Sequence, residues 1–450
     1  MAHVERLCGL LLLVSGVLFG ACGDDGGPFA AGDGGPDAGT DTDTDTDTDA
    51  DSDTGEDEIP PDLPALCSAV VFNAGTSGEG DGREPKIAWG TPSAAALIAW
   101  TYDPQDEGLP EQWRIQTTPY DPLAPDISPV APFALPSSVA SWTAMSVRDS
   151  GFGAVWLDSR WDPACDVDDP DSCSVDLAFA ALDDSGASAG DPVRLTTDGV
   201  SRSQPAIAGT PDGWLVAWAE ADDSDTQRLM ALSLTADGVP GAPQIISGDE
   251  IVSNDSSEVA IAAGGTLAVA VWRGDDLDTI LAQPMSFDGV PTGEPVIVDQ
   301  GVQTRSARIA AGEDGFAVVW SRRSVDDYEV FSRLLTGTGA PLGEANRLTW
   351  TISDESGAVA AWDGTSYGVF WLGNRANGTE ACVDTNCEDQ AFVSVLDADG
   401  ALASVPVLLS DNANPSSNGD LAWDGSGWTA VWEVRRDMRQ QVFRGRLTCE

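Results

Sequence analysis

The stretch QPAIAGTPDGWLVAWAEADDSDTQRLMALSLTADGVPGAPQIIS, from Gln204 to Ser247, is one unit of a repeat that fills most of this 450-residue chain. Its apolar run ends at Trp218, between an Asp-Gly pair at 212–213 and an acidic loop. Two further β-type runs follow across a second Asp-Gly pair at 237–238. Apolar runs of this length, separated by turn residues, are typical of antiparallel strands. The unit therefore predicts a four-stranded antiparallel sheet.

Seven tryptophans end comparable apolar runs at spacings of 48 to 62 residues: Trp100, Trp156, Trp218, Trp272, Trp320, Trp371 and Trp432. Another aromatic residue lies four positions before five of them: Phe152, Trp214, Phe316, Tyr367 and Trp428. Residues i and i+4 of a strand share one face, so we expect these pairs to pack between neighbouring sheets. Seven such units predict an all-β, seven-bladed β-propeller of four-stranded antiparallel blades over residues 65–450.

Asp-Gly pairs recur at two places in the unit. One set precedes the second strands, at 212–213, 314–315, 363–364 and 424–425, and the other connects third and fourth strands, at 237–238, 288–289 and 399–400. These pairs predict tight hairpins in which the glycine has a positive φ. The short turns then lie on one face of the ring, and the long connections lie on the other.

The last unit contains only three strand-like runs, which end with residues 441–448. The segment SAVVFN, Ser68–Asn73, resembles the fourth strands of other units. We therefore expect the N-terminal strand to complete the seventh blade and close the ring. Cys67 would then lie beside Cys449, where a disulfide could replace the missing hairpin.

The cysteines predict three disulfides: Cys67 with Cys449, Cys165 with Cys173, and Cys382 with Cys387. An exported chain permits such bonds. A zinc site is the weaker interpretation, because the spacing of the last pair is not Cys-x-x-Cys and the only histidine, His3, lies in the leader.

Arg6, the apolar run at 7–19 and the small residues before Cys22 are typical of a secretory signal peptide over residues 1–21. The segment Leu18-Phe19-Gly20-Ala21-Cys22 resembles the lipobox of bacterial lipoproteins. That resemblance implies a lipidated Cys22 and an exported protein anchored to the bacterial cell envelope. Gly23 after the cysteine favours the outer membrane by the same analogy. An ordinary signal peptide with an incidental cysteine is the alternative.

Residues 23–64 carry 15 acidic and no basic residues and little that could be buried, which predicts a disordered acidic tether. The whole chain has a net charge of −52. Nucleic acid is therefore not an expected partner, because affinity for phosphate backbones comes mostly from Lys and Arg clusters. A cationic protein or a glycan is a more suitable partner, and we expect a monomer.

The unit Gly315–Thr349 resembles a repeat of bacterial surface and secreted proteins, in which a strand ending in Val-Trp is followed by Asp or Arg residues. The resemblance covers residues 68–450. It implies a propeller outside the cytoplasm and supplies no catalytic residue. With His3 removed, Ser-His-Asp and Cys-His catalysis lack a base.

The sequence favours a noncatalytic surface-binding or scaffolding module of unknown ligand. A carbohydrate-active hydrolase that uses carboxylates near the axis, or an envelope-assembly scaffold, remains an alternative. Acidic residues follow the strand-ending tryptophans, and calcium would need six to eight converging oxygens. A solvated acidic face is the other interpretation of these loops. The candidate calcium ligands are Asp222, Asp223, Asp225, Asp275, Asp276 and Asp278.

Overall fold

A computed structural model describes residues 63–73, 81–90, 95–103, 113–121, 133–134, 140–148, 151–165, 173–197, 202, 205–221, 227–248, 258–324, 327–351, 354–373, 375–376, 380–381, 389–410, 414–436 and 439–449. The predicted signal peptide and nearly all of the predicted tether lie outside these residues. Within the described ranges every regular element is a β-strand. No helix in this part of the chain is long and apolar enough to cross a membrane.

The strands form seven four-stranded antiparallel sheets. Strand β1 (Cys67–Asn73) comes first. Blade 1 contains β2 (Asp81–Gly90), β3 (Ala95–Asp103), β4 (Arg114–Tyr120) and β5 (Phe133–Ala134). Blade 2 contains β6 (Ala140–Arg148), β7 (Gly151–Asp158), β8 (Asp176–Leu182) and β9 (Val193–Arg194). Blade 3 contains β10 (Ala206–Gly209), β11 (Gly213–Ala221), β12 (Gln227–Thr235) and β13 (Gln244–Ile245).

Blade 4 contains β14 (Val259–Gly264), β15 (Leu267–Arg273), β16 (Thr279–Met285) and β17 (Val296–Gln300). Blade 5 contains β18 (Val302–Ala311), β19 (Gly315–Ser324), β20 (Asp327–Thr336) and β21 (Pro341–Arg347). Blade 6 contains β22 (Glu355–Trp362), β23 (Tyr367–Gly373), β26 (Gln390–Leu396) and β27 (Val407–Leu408), with a small hairpin of β24 (Arg375–Ala376) and β25 (Glu380–Ala381) between its second and third strands. Blade 7 contains β28 (Ser416–Trp423), β29 (Trp428–Arg436), β30 (Arg439–Cys449) and β1.

The first strand of each blade contacts the first strands of its two neighbours, and β28 contacts β2. These seven inner strands surround the axis of the ring. The structure is thus the predicted seven-bladed propeller.

One buried apolar cluster fills each of the seven interfaces between blades. At the interface of blades 2 and 3, Trp214 and Trp218 pack with Phe179, and both tryptophans are almost fully buried. Because a second strand is covered on both faces by neighbouring blades, its sequence is a continuous apolar run rather than an alternating one. The predicted packing of the aromatic pairs between sheets is confirmed.

The seventh blade is closed by the N-terminal strand, as predicted. Strand β1 pairs antiparallel with β30 over seven register pairs, from Cys67 with Cys449 to Asn73 with Phe443. The structure contains the Cys67–Cys449 and Cys165–Cys173 disulfides. Cys382 and Cys387 lie outside the described residues.

Residues 63 and 64 contact blade 6, although the sequence assigned them to the tether. Leu63 packs against the cluster between blades 5 and 6, and Val405 donates a backbone hydrogen bond to the carbonyl of Pro64. Contacts between the N-terminal segment and the propeller therefore begin no later than Leu63.

The positive φ predicted for the glycines of the Asp-Gly pairs is present at some of these turns and wrong for others. Gly238 and Gly425 have the expected positive φ, at 80° and 87°. Gly213 and Gly315 do not have it. A Cβ at Gly213 would lie 1.9 Å from the carbonyl oxygen of Leu234, and one at Gly315 would lie 2.1 Å from that of Leu335. These two glycines allow the close approach of the third strand.

Candidate functional site: the axial cavity

A cavity of about 550 Å³ lies on the axis and is lined by all seven inner strands. The strands contribute residues near their midpoints, such as residues 84–87 of β2 and 306–309 of β18.

Two of the charged side chains in this cavity form an ion pair. The guanidinium of Arg308 on β18 lies 3.0 Å from the carboxylate of Glu258, the residue before β14. The positive charge of Arg308, with a smaller contribution from Lys86, holds the pKa of Glu258 below its usual value. This pair joins blades 4 and 5 at the cavity wall, and Glu258 is held in its ionised form.

Asp420 on β28 is the second carboxylate whose surroundings shift its acidity. It accepts hydrogen bonds from the backbone N–H groups of Ile87 and Leu421, both at 3.0 Å. Burial raises the pKa of Asp420, whereas the nearby Lys86 and these hydrogen bonds act in the opposite direction. One cavity therefore contains a carboxyl group whose pKa is raised and another whose pKa is lowered.

Lys86 on β2 is the only lysine of the chain and lies in this cavity. Glu258 and Asp420 line the same cavity, and the positive charge of Lys86 acts to lower the pKa values of both carboxylates. Within the part of the chain that the structure describes, no hydrogen bond or salt bridge involves this ammonium group. Its three N–H donors are therefore available to a ligand.

The backbone around the cavity is strained at several bulges. Glu84, Ser306 and Asn418 have positive φ values of 53°, 49° and 35°, and all three line the cavity. Each lies where the pairing register of its inner strand shifts. Such conformations cost on the order of 1–3 kcal/mol each in non-glycine residues, and they cluster at functional sites.

A buried carboxylate holds two of these bulges in place. Glu433 on β29 accepts hydrogen bonds from the backbone N–H of Glu84, from the Ser417 hydroxyl at 2.9 Å and from the Asn418 amide at 2.9 Å. It is only 3% exposed. Glu433 therefore joins blade 7 to blade 1 beside the cavity. It directly follows the strand-ending Trp432, and a charge inside the apolar run WTAVWEV is the signal that could have identified it.

Three of the six predicted calcium ligands, Asp275, Asp276 and Asp278, lie among the described residues. Asp276 accepts hydrogen bonds from the N–H groups of Asp278 and Thr279 at 3.0 and 2.9 Å, and Asp278 accepts one from the N–H of Gln303 at 2.7 Å. Asp276 therefore caps its own loop, and Asp278 binds the start of β18 in blade 5. The described residues contain no group of three or more acidic, His or Cys side chains that could hold a metal ion. Asp222, Asp223 and Asp225 lie outside those residues, so calcium binding there stays a prediction.

Among the described residues, the arginines that follow the strand-ending tryptophans do not converge on the axis of the ring. Arg160 lies 2.6 Å from Asp158 and stacks over Trp161, and Arg323 donates a hydrogen bond to Gln303. Their contacts are structural. The sequence reasoning missed the axial set of Glu258, Arg308 and Asp420 because no motif singles these residues out.

No protein-family model and no curated protein matches the chain. Among solved structures, a Trypanosoma rangeli sialidase is similar with a TM-score of 0.43 and 11% identity, over 85% of this chain and 58% of that chain. A subtype N10 neuraminidase-like protein of A/little yellow-shouldered bat/Guatemala is similar with a TM-score of 0.45 and 7% identity, over 86% of this chain and 99% of that one. An α-L-arabinofuranosidase from Lactobacillus brevis has a TM-score of 0.32 and 11% identity, over 55% and 90%.

This chain thus spans only 58% of the length of the sialidase. With TM-scores of at most 0.45 and identities of at most 11%, these likenesses support no conclusion on residue roles or activity.

Proposed function

We propose that this protein is an exported, lipid-anchored envelope protein whose propeller binds a small polar molecule in the axial cavity without catalysing a reaction. The observation that carries the proposal is the cavity itself. Its volume of about 550 Å³ falls within the range of small-molecule sites, roughly 300–1,000 Å³. Charged and hydroxyl side chains from six of the seven blades line it, and an available ammonium group lies among them.

Two features support export and anchoring. The segment before Cys22 has the layout of a leader with a lipobox-like end. The disulfides at Cys67–Cys449 and Cys165–Cys173 also fit an oxidising compartment, because such bonds are rare in the cytosol. On this proposal the acidic segment 23–62 holds the propeller away from the membrane.

A thermal-shift screen with sugars, sugar acids, amino acids and short peptides tests the binding proposal. At least one compound should raise the melting temperature of the wild-type protein, and Ser356→Trp should abolish that shift because the indole would occupy cavity volume. Ala242→Trp, in the exposed loop between β12 and β13, is the matched control. If no compound shifts the protein, or if Ser356→Trp responds as the wild type does, the axial cavity is not the binding site.

The unequal acidity of Glu258 and Asp420 favours a glycoside hydrolase as the second candidate. Such enzymes use one protonated and one ionised carboxyl group on opposite sides of the scissile bond. Activity should then rise as the pH passes the lowered pKa of Glu258 and fall as it passes the raised pKa of Asp420.

Nitrophenyl glycosides provide the assay for this second candidate. Glu258→Gln and Asp420→Asn should each remove any hydrolysis, whereas Asp288→Asn, at an exposed turn, should not change it. Hydrolysis that survives both cavity variants would come from elsewhere and would exclude this pair.

A further inference from the structure

We infer that the ligand of the axial cavity is a small zwitterion, which places a carboxylate against Lys86 and an ammonium group against Asp420. This inference rests on the proposed function and specifies the ligand class of the same site. Its basis is the arrangement of the charged side chains in the cavity.

Of the two cations that line the cavity, only Lys86 lacks a direct partner among the described residues. Arg308 is already paired with Glu258 at 3.0 Å. An ammonium group that is partly removed from water and has no hydrogen-bond acceptor is unfavourable, and a carboxylate is its strongest natural partner. A ligand carboxylate would supply that acceptor without displacing a contact of the protein.

An anion alone would not suit the rest of the lining. Glu84, Asp389 and Asp420 also line the cavity, so its carboxylates outnumber its cations. The protein as a whole carries a net charge of −52, which repels a purely anionic ligand. A molecule that also carries an ammonium group avoids this repulsion.

Asp420 is the carboxylate best placed to receive that ammonium group. Asp420 accepts a hydrogen bond at 3.0 Å from the backbone N–H of Ile87, the residue after Lys86, yet no salt bridge joins Lys86 and Asp420. Burial raises the pKa of Asp420, which means that its negative charge lacks full compensation. A zwitterion between the two side chains would compensate both charges at once.

The shared chemistry is an amine and a carboxylate on one small molecule, as in an amino acid, a peptide or an acidic amino sugar. Three matched dipeptides separate the two charges: Ala-Ala, N-acetyl-Ala-Ala, which keeps only the carboxylate, and Ala-Ala amide, which keeps only the amine. Muramic acid is the amino-sugar probe. Isothermal titration of the purified full-length protein with each compound gives the affinities.

We expect Ala-Ala or muramic acid to bind about tenfold or more tightly than the probes that carry one charge, because a hydrogen bond to a charged group contributes that much. Lys86→Met should remove the preference for a carboxylate, and Asp420→Asn should remove the preference for an amine. Lys86→Arg, which keeps the charge, should preserve binding. Arg323→Met removes a cation outside the cavity and should have no effect.

The single lysine gives a second readout. Reductive methylation with ¹³C-formaldehyde keeps the charge and labels only Lys86 and the N-terminal α-amine, if that amine is free. The Lys86 NMR signal, identified by its absence in Lys86→Arg, should shift with the two carboxylate-bearing dipeptides and not with the amide.

The outcomes separate the inference from the proposed function. Equal affinity for all three dipeptides, or a Lys86→Met variant with unchanged selectivity, would overturn the zwitterion assignment. If an uncharged sugar binds and Ser356→Trp blocks it while the zwitterions do not bind, the cavity is a binding site and the ligand class is wrong. If no probe binds and the broad screen also fails, the proposed function fails as well.

Discussion

Removal of the disulfide that closes the ring should cost more stability than removal of the other described disulfide. Cys67 and Cys449 are separated by 382 residues, whereas Cys165 and Cys173 are separated by 8. In the chain-entropy treatment, the disulfide that closes the long loop raises the free energy of the unfolded state by about 6 kcal/mol, and the one that closes the short loop raises it by about 2.5 kcal/mol. The difference arises because closure entropy grows with the logarithm of loop length.

The described side chains of β1, from Cys67 to Val71, can compensate little for the loss of this bond. Val70 and Val71 are 58% and 44% exposed, and among these described side chains only Cys67 and Ala69 pack against the cluster between blades 6 and 7. The strand is otherwise held by its backbone pairing with β30. Once the disulfide is absent, β1 should separate from blade 7 before the remaining blades unfold.

Calorimetry of Cys67→Ser/Cys449→Ser and Cys165→Ser/Cys173→Ser tests this expectation. For a unit of about 390 residues the unfolding entropy is about 0.8 kcal/mol/K, so the melting temperature should fall by about 7 °C and about 3 °C, respectively. Hydrogen exchange should also quicken first in β30. If the first variant loses no more stability than the second, the entropic account of ring closure is refuted.

Three further predictions concern the anchor, the acidic loops and the axial ion pair. Cys22→Ala should leave the exported protein soluble in cell fractionation, and a variant that stays in the membrane would show that lipidation at Cys22 is not the anchor. Submillimolar calcium should raise the melting temperature, and the shift should shrink when three aspartates of one loop become Asn; no shift at millimolar calcium would contradict the metal interpretation. These aspartates are Asp222, Asp223 and Asp225. The lowered pKa of Glu258 contributes stability that is present above the unfolded value, about 4.3, and is lost as the pH falls through the folded value. Arg308→Met should therefore weaken the loss of melting temperature in acid, and an unchanged pH profile would mean that the ion pair does not set the acidity of Glu258.

The blades could be predicted from sequence because their signals are local and recur. Each second strand is a short apolar run that ends in tryptophan, and the turn residues between runs fix the strand boundaries. The closure was also predictable, because Ser68–Asn73 has the pattern of a fourth strand and Cys67 precedes it as Cys449 follows the last third strand. These inferences need only the order of segments and their period.

The axial site could not be predicted in the same way. Lys86, Glu258, Arg308 and Asp420 come from blades 1, 4, 5 and 7, and no spacing in the sequence relates them. They meet only because the ring closes. Lys86 is the only lysine in the sequence, but the sequence does not show which side chains surround it in the fold. The bulges could not be predicted from sequence either. Glu84 and Ser306 are residue types that rarely adopt positive φ, so they give no turn signal.

The position of the strained residues bears on whether the axial cavity is only a gap left by packing. Five described residues other than glycine have positive φ, and three of them, Glu84, Ser306 and Asn418, face this cavity from blades 1, 5 and 7. A ring that needed only to pack could use regular strands there, without the cost of left-handed backbone. Instead, the bulges displace the inner strands beside Lys86 and Arg308, and the buried Glu433 stabilises two of them. This combination of local strain, a buried carboxylate that supports it and an ammonium group without a direct partner is better explained by a binding site than by packing alone.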